Sequence, residues 1–243
     1  MIIDHNHPEY TELRKKIPKG KYNGCWYYSG EIVKNIIPNV KTWRGWNTVG
    51  RELTGMQDHM IVFLHDNSTP WNYAWLKKYK DLVLVCSSRY TFNSVIYSGH
   101  TVLLPMSIDT EYVKQFRTEK TKDTCFVGNL WVKENMTDPS VLVAGKVDFF
   151  SGLPREKLLK EVAKYKRAYA IDRCAQEAQV LGCELLPIET RYHCDDVGKV
   201  VDNHEAAKLL QAELDKIDGK GGIDARIQGH ASEWSIPNTT KNT

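Results

Sequence analysis

Within the segment YAIDRCAQEAQVLGCELLP, Tyr169–Pro187, Arg173 and Glu177 stand four residues apart. On a helix that spacing stacks the two side chains on one open face. Ala175, Ala178 and Leu181, three apart, mark the stripe that faces a core. A short apolar strand precedes this helix, Asp172 stands at its N-cap, and Gly182 stops it before a buried strand from Cys183. A helix start attracts phosphate through its unsatisfied N–H groups, and a carboxylate one turn further in accepts hydrogen bonds from sugar hydroxyls. These groups together suit a phosphorylated, ribose-containing ligand, so a nucleotide-sugar site is the leading expectation. The same spacing also describes an ordinary solvated Arg–Glu pair.

A second group sits in the first half of the chain. The apolar run Ile61–His65 ends in His65-Asp66-Asn67, where a parallel strand delivers polar residues to a ligand. His65 or Asp66 there suits a general base acting on a hydroxyl. Asp66 and Asn67 serve equally well as cap or turn residues with Ser68, Thr69 and Pro70. Ser29-Gly30, before EIVKNII, reads either as a glycine turn approaching a diphosphate or as a plain helix N-cap. Two other signals carry little. His5-Asn6-His7 lacks a nuclease context, and Tyr192–Asp196 holds potential metal ligands in a polar loop with no second cluster. Trp26, Tyr27, Tyr28, Trp43, Trp46, Trp71 and Trp75, mixed with Lys41, Arg44 and Arg51, read as a nucleic-acid stacking surface or, taken singly, as core.

These residues need a scaffold, and the patterning supplies one. Ile61–His65, Leu82–Ser87 and Thr101–Pro105 are short β-branched, apolar runs. Asn72–Tyr79 and Thr91–Ser98 between them read as helices, the second closed by Gly99. Strands this apolar are buried on both faces, which implies parallel sheets covered by helices. The charged stretch Arg117–Thr124 lacks apolar anchors and reads as a linker. A second alternation follows: strand Cys125–Gly128, largely strand Val141–Phe150, helix Arg155–Lys166, strand Ala168–Ile171, helix Arg173–Leu181 and strand Cys183–Ile188. Asn203–Ile217 is an amphipathic helix, capped by Asn203 and closed by Gly219. The expected division is residues 1–116, linker 117–124, residues 125–218, and a glycine-rich tail at 219–243.

With 243 residues and 42% hydrophobic content the chain can pack a sizeable core, which excludes a disordered protein. No run approaches the ~20 apolar residues of a membrane span. The start MIIDHNHPEY lacks the order of a secretory leader, so a cytoplasmic location is expected. The six cysteines include no C-x-x-C pair, which argues against a zinc or disulfide framework. A net charge of +3 permits an anionic partner without demanding one.

Four motifs in order carry a resemblance over roughly residues 60–217. LLPMSID at Leu103–Asp109 resembles the segment preceding the hinge of GT-B glycosyltransferases. CFVGN at Cys125–Asn129 resembles the strand and turn opening their donor domain, and FFSGLPREKLL at Phe149–Leu159 the strand, turn and helix beside the nucleobase. RCAQEAQVLGCELLP resembles their donor-site helix. The resemblance implies two Rossmann-like α/β domains facing a cleft, with a reduced N-terminal domain on the acceptor side. It assigns Glu177 to the donor ribose, Arg173 to the diphosphate, Gly128 and Asn129 to the cleft near the phosphates, and Gly152 and Leu153 to the nucleobase. It sets His65 beside the transferred sugar. Tyr169 stands where retaining members carry a second carboxylate, so the stereochemistry stays open.

The reaction so implied is hexosyl transfer from a nucleoside-diphosphate sugar, UDP-glucose first, to an acceptor hydroxyl. Compact enzymes of this kind are typical of phages that glycosylate hydroxymethylated DNA bases, so DNA enters as a candidate acceptor. The arrangement calls for no metal or other cofactor, since helix dipole, amides and Arg173 stabilise the leaving diphosphate. The other reading is a non-catalytic nucleotide- or nucleic-acid-binding protein on the same scaffold.

Overall fold

The computed structural model describes residues 24–36, 46–48, 56–64, 70–128, 147–170, 172–187 and 199–219. The chain divides into two compact units. Val33–Pro105 with Ala207–Thr243 form one, the N-terminal unit, and Met1–Ile32 with Met106–Ala206 form the other, the C-terminal unit. Helix α1, Gly24–Ile36, and the last helix, α6, Asn203–Gly219, each run across the division.

The N-terminal unit is built on a parallel sheet of β1 (Trp46–Thr48), β2 (Ile61–Leu64), β3 (Val83–Cys86) and β4 (His100–Leu103), in spatial order β1-β2-β3-β4. Every residue of β2 and β3 is buried, as their unbroken apolar runs require for strands covered on both faces. A 3-10 helix, Pro70–Lys78, follows β2 in sequence, and its Leu76 joins Leu64, Leu84 and Cys86 in the core. Helix α2, Arg89–Ser94, is capped by Ser88, whose Oγ accepts from the Thr91 N–H at 3.1 Å. It ends earlier than expected, because Val95 is already extended, so Gly99 is no helix cap. Gly99 instead lies where a Cβ would come within 2.5 Å of the Tyr97 ring. Tyr97 in turn accepts the Leu82 N–H at 2.7 Å.

The C-terminal unit is also an all-parallel sheet among its described strands. These are β5 (Lys122–Val127), β6 (Asp148–Phe150), β7 (Tyr165–Ala170) and β8 (Glu184–Leu185), in order β6-β5-β7-β8. Helices α3 (Thr110–Lys114), α4 (Arg155–Val162) and α5 (Asp172–Val180) accompany it. Its core joins Val113, Val127, Leu159, Tyr165, Ala175 and Leu181, each about fully buried. A large apolar side chain so placed contributes about 1.5–3 kcal/mol.

The parallel α/β expectation therefore holds, and two boundaries move. The helix expected over Arg155–Lys166 ends at Val162, and β7 starts at Tyr165, whose ring is buried while Lys166 points out. The supposed linker at 117–124 is not a linker. The chain divides at Pro105–Met106, and Lys122–Thr124 already belong to β5. Its charges serve helix ends instead. Lys120 Nζ donates to Ala163 O at 2.9 Å and Leu181 O at 2.7 Å, at the carboxyl ends of α4 and α5, and Arg117 Nε donates to Val180 O at 2.6 Å. Cations capping unsatisfied carbonyls explain a charged run without apolar anchors. The tail expected at 219–243 lies, after Gly219, outside the described residues.

Candidate functional site

Strand register sets the site. Val127 on β5 pairs with Phe150 on β6 and with Ala170 on β7, so three strands end at one level. The chain leaves β5 to one side for β6 and returns to the other side for β7. This reversal makes the carboxyl ends of β5 and β7 the place where such sheets bind ligands. The chain turns through positive φ just beyond all three ends, at Gly128 (149°), Gly152 (69°) and Asp172 (53°). For Gly128 and Gly152 the absence of a side chain makes this easy. For Asp172 it is a left-handed conformation that aspartate tolerates better than most residues.

Helix α5 starts at this edge and carries Glu177. The structure corrects the open-face expectation, because Glu177 is 2% exposed. Besides lying on β7, α5 is packed by α3 and α4, so the face opposite Ala175 and Ala178 is covered too. From the first turn of α4, Arg155 Nε donates to Glu177 Oε1 at 3.2 Å, and Arg173 Nε lies 3.4 Å from the same oxygen. Both arginine side chains are nearly buried, at 12% and 13% exposure. Among the described residues no hydrogen bond or ion pair reaches Oε2. The Arg155 guanidinium carbon lies 5.0 Å from the centroid of the Tyr112 ring, and that ring packs edge-on against Phe116 at 5.2 Å. A buried carboxylate needs such cationic partners. Arg155 stands inside the FFSGLPREKLL segment, but nothing in the sequence gives it a role of its own; its one signal is a cation one residue past Pro154, at a helix start.

Gln176, next to Glu177, fixes α5 from the other side. Its Nε2 donates to Met106 O at 2.7 Å, and its Oε1 accepts the Val201 N–H at 2.9 Å. The segments it joins also pair with each other. Ile108 bridges Asp202, Ser107 Oγ donates to Asn203 Oδ1 at 2.7 Å, and Asp202 Oδ2 accepts from Thr110 Oγ1 at 2.6 Å. Asp202 also accepts the His204 N–H at 2.8 Å, so it, and not Asn203, caps α6. Burial raises the Asp202 carboxyl, but the hydrogen bonds from Thr110 and His204 together outweigh it and hold the group below the usual carboxylate range. In the Ser107-Ile108-Asp109 motif, Asp109 caps α3 through the Tyr112 N–H at 2.8 Å.

The opposite, amino ends of the same strands hold a separate polar knot. Lys122 donates to Tyr165 Oη at 2.9 Å, and Tyr165 donates to Asp148. Burial, then the Asp148 hydrogen bond, pushes the Tyr165 phenol up to about 12. These contacts tie strand starts together, far along the strands from Glu177.

Of the expected site residues, Gly128, Gly152 and Leu153 lie at the level carboxyl ends of β5 and β6, and Arg173 and Glu177 lie on α5 beyond β7. Ser29 and Gly30 lie inside α1, with Ser29 fully buried, so they form neither a glycine turn nor an N-cap. The run continues helical because a single glycine costs only about 1 kcal/mol there. His65, Asp66 and Asn129, with Tyr192–Asp196, lie outside the described residues. Of the aromatics, Trp75 is half-buried and packs edge-on against Tyr79, as core. Cys86, Cys125 and Cys183 are buried thiols, and burial raises Cys125 to about 12. Among the described residues no group of acidic, His or Cys side chains could hold a metal ion, and no helix is long and apolar enough to cross a membrane.

The arrangement can hold an anion through Arg155 and Arg173 and accept a hydroxyl at Glu177 Oε2. Comparison with protein-family models, with curated proteins and with solved structures finds no match for the chain.

Proposed function

We propose that the C-terminal unit binds a nucleoside-diphosphate sugar at the carboxyl ends of β5 and β7, and that the protein is a glycosyltransferase. One observation carries the reading: at the reversal of strand order, a buried carboxylate is held by two arginines through one oxygen and keeps the other oxygen for a donor. In this reading Glu177 accepts from the ribose hydroxyls, and Arg173 and the start of α5 face the diphosphate. Gly128 and Gly152 let the backbone approach the ligand. A preorganised cation and helix dipole stabilise charge as the diphosphate leaves. The order of the four GT-B-like motifs supports hexosyl transfer, with UDP-glucose as the donor to test first. The same reading takes the two-domain GT-B arrangement, with the N-terminal unit on the acceptor side. His65 or Asp66 then removes the acceptor proton, and a hydroxymethylated DNA base is the acceptor to test beside simple alcohols.

The test is heat stabilisation by UDP and UDP-glucose, followed by release of UDP from UDP-glucose with and without hydroxymethylated DNA. The expected result is stabilisation by both, turnover with acceptor, and at least about tenfold weaker UDP binding by Glu177→Gln. Stabilisation without turnover assigns the non-catalytic nucleotide-binding reading. No response to any nucleotide overturns both.

A further inference from the structure

Resting on the nucleotide reading of the site, we propose that Arg155, steadied by the Tyr112 ring, is the positioning residue that turns Glu177 to read a ribose diol. A carboxylate has two equivalent oxygens, and an isolated glutamate rotates freely between them. Here the equivalence is broken. Arg155 donates to Oε1, Arg173 lies against the same atom, and no described residue bonds to Oε2. The two arginines differ in what holds them. Arg173 comes from the same helix as Glu177, one turn earlier. Arg155 comes from α4, and its guanidinium lies over the Tyr112 ring of α3. Tyr112 is itself fixed twice, by its N–H on Asp109 Oδ1 and by the edge of Phe116. A planar guanidinium can stack on a ring and donate in a set direction at once, whereas a lysine ammonium is a point charge on a flexible stem. The geometry therefore transmits the packing of α3 to the orientation of one carboxylate oxygen. Ribose hydroxyls are the groups that an oriented acceptor distinguishes, because a 2′-deoxyribose lacks one donor.

The experiment measures affinities for UDP, 2′-deoxy-UDP and inorganic pyrophosphate by calorimetry in the full chain. The variants are Arg155→Lys, Tyr112→Leu and Tyr112→Phe. In the unaltered protein UDP should bind about tenfold tighter than 2′-deoxy-UDP. Arg155→Lys and Tyr112→Leu should reduce that ratio to about threefold or less, while Tyr112→Phe, which keeps the ring, preserves it. Pyrophosphate affinity should stay within about twofold in Arg155→Lys, because the charge is kept. A merely structural role would weaken all three ligands alike and leave the ratio unchanged, which overturns the proposal while the nucleotide reading stands. An unaltered protein that binds none of the nucleotides removes the reading itself. Should Arg155→Lys fail to fold, the Tyr112 pair decides, since those two variants differ only in the ring.

Discussion

The two sheets share strand number and parallel pairing but not order, and the polar chemistry follows the order. In the N-terminal unit the described strands run β1-β2-β3-β4, each beside the last, with no reversal. Beyond β3, Ser88 is spent on capping α2, and beyond β4, Leu104 returns its N–H to Cys86 O. In the C-terminal unit the order reverses about β5, and the strand ends there meet positive-φ turns and a buried charge cluster. A reversal sends the two flanking connections apart and leaves a gap that no connection crosses. Sequential order leaves none. Among the described residues, the same secondary structure thus gathers a buried charge cluster at the strand ends of the C-terminal unit and none at the ends of β3 and β4.

The sharpest way to break this contrast is to remove the charge at the reversal. Glu177→Ala leaves two nearly buried guanidinium groups without their shared carboxylate. Urea unfolding should show a loss of about 3–5 kcal/mol. Replacing all three charges with apolar residues of similar size should recover most of it. A loss below about 1 kcal/mol would mean the cluster is solvated like a surface pair. Leu84→Ala, in fully buried β3, should cost about 2–5 kcal/mol by leaving a cavity, yet leave UDP affinity of the folded protein unchanged. Weakened UDP binding in Leu84→Ala would move the site away from the C-terminal unit alone.

Next in size comes Lys120→Met, which strips the Ala163 and Leu181 carbonyls of a charged donor. The expected cost is about 2–3 kcal/mol, measured by the same unfolding. Gln176→Leu should cost about 1–3 kcal/mol, because it leaves Met106 O and the Val201 N–H buried and unmet. In the N-terminal unit Asp58 plays a like part, its Oδ1 accepting the Lys80 N–H at 2.8 Å and the Asp81 N–H at 3.0 Å, whereas Tyr97→Phe loses a single acceptor for Leu82.

What could be read in advance follows from which interactions are local. Strands β2 and β3 are continuous apolar runs, and their burial is legible from composition alone. The helix at Arg173–Leu181 and its core stripe follow from periodicity, and Ala175, Ala178 and Leu181 are buried as expected. Periodicity cannot show how many neighbours a helix has. The Glu177 face is covered because α3 and α4 also pack on α5, and that is a property of topology. The role of Arg155 is a property of topology too, since its partner is 22 positions away. The Arg117–Thr124 run was misleading because capping cations and linker charges look alike until the carbonyls they serve are in place. Ser29-Gly30 suits a turn or a cap equally well by residue type, and only the helix that already runs from Gly24 shows that it is neither.

The smallest expected effect concerns Asp202, which joins the segment entering the C-terminal unit to the one leaving it. Its carboxylate receives the Thr110 hydroxyl, the Thr110 N–H and the His204 N–H. Because its folded-state pKa is lowered, folding favours the ionised form. The resulting stability is present above the unfolded-state value, about 4, and is lost as pH falls through the lower folded-state value. Asparagine caps helices as well as aspartate does, so Asp202→Asn keeps one acceptor for the His204 N–H and removes the charge together with the acceptor for Thr110. At pH 7 this variant should be about 0.5–1 kcal/mol less stable than the unaltered protein. The gap should hold down to about pH 5 and close below about pH 4, as the native carboxylate protonates and loses its advantage. Asp202→Ala loses the cap itself and should stay about 1 kcal/mol less stable across that range. A gap for Asp202→Asn that persists undiminished at acid pH would assign the effect to hydrogen-bond shape, and the join would then need no charge.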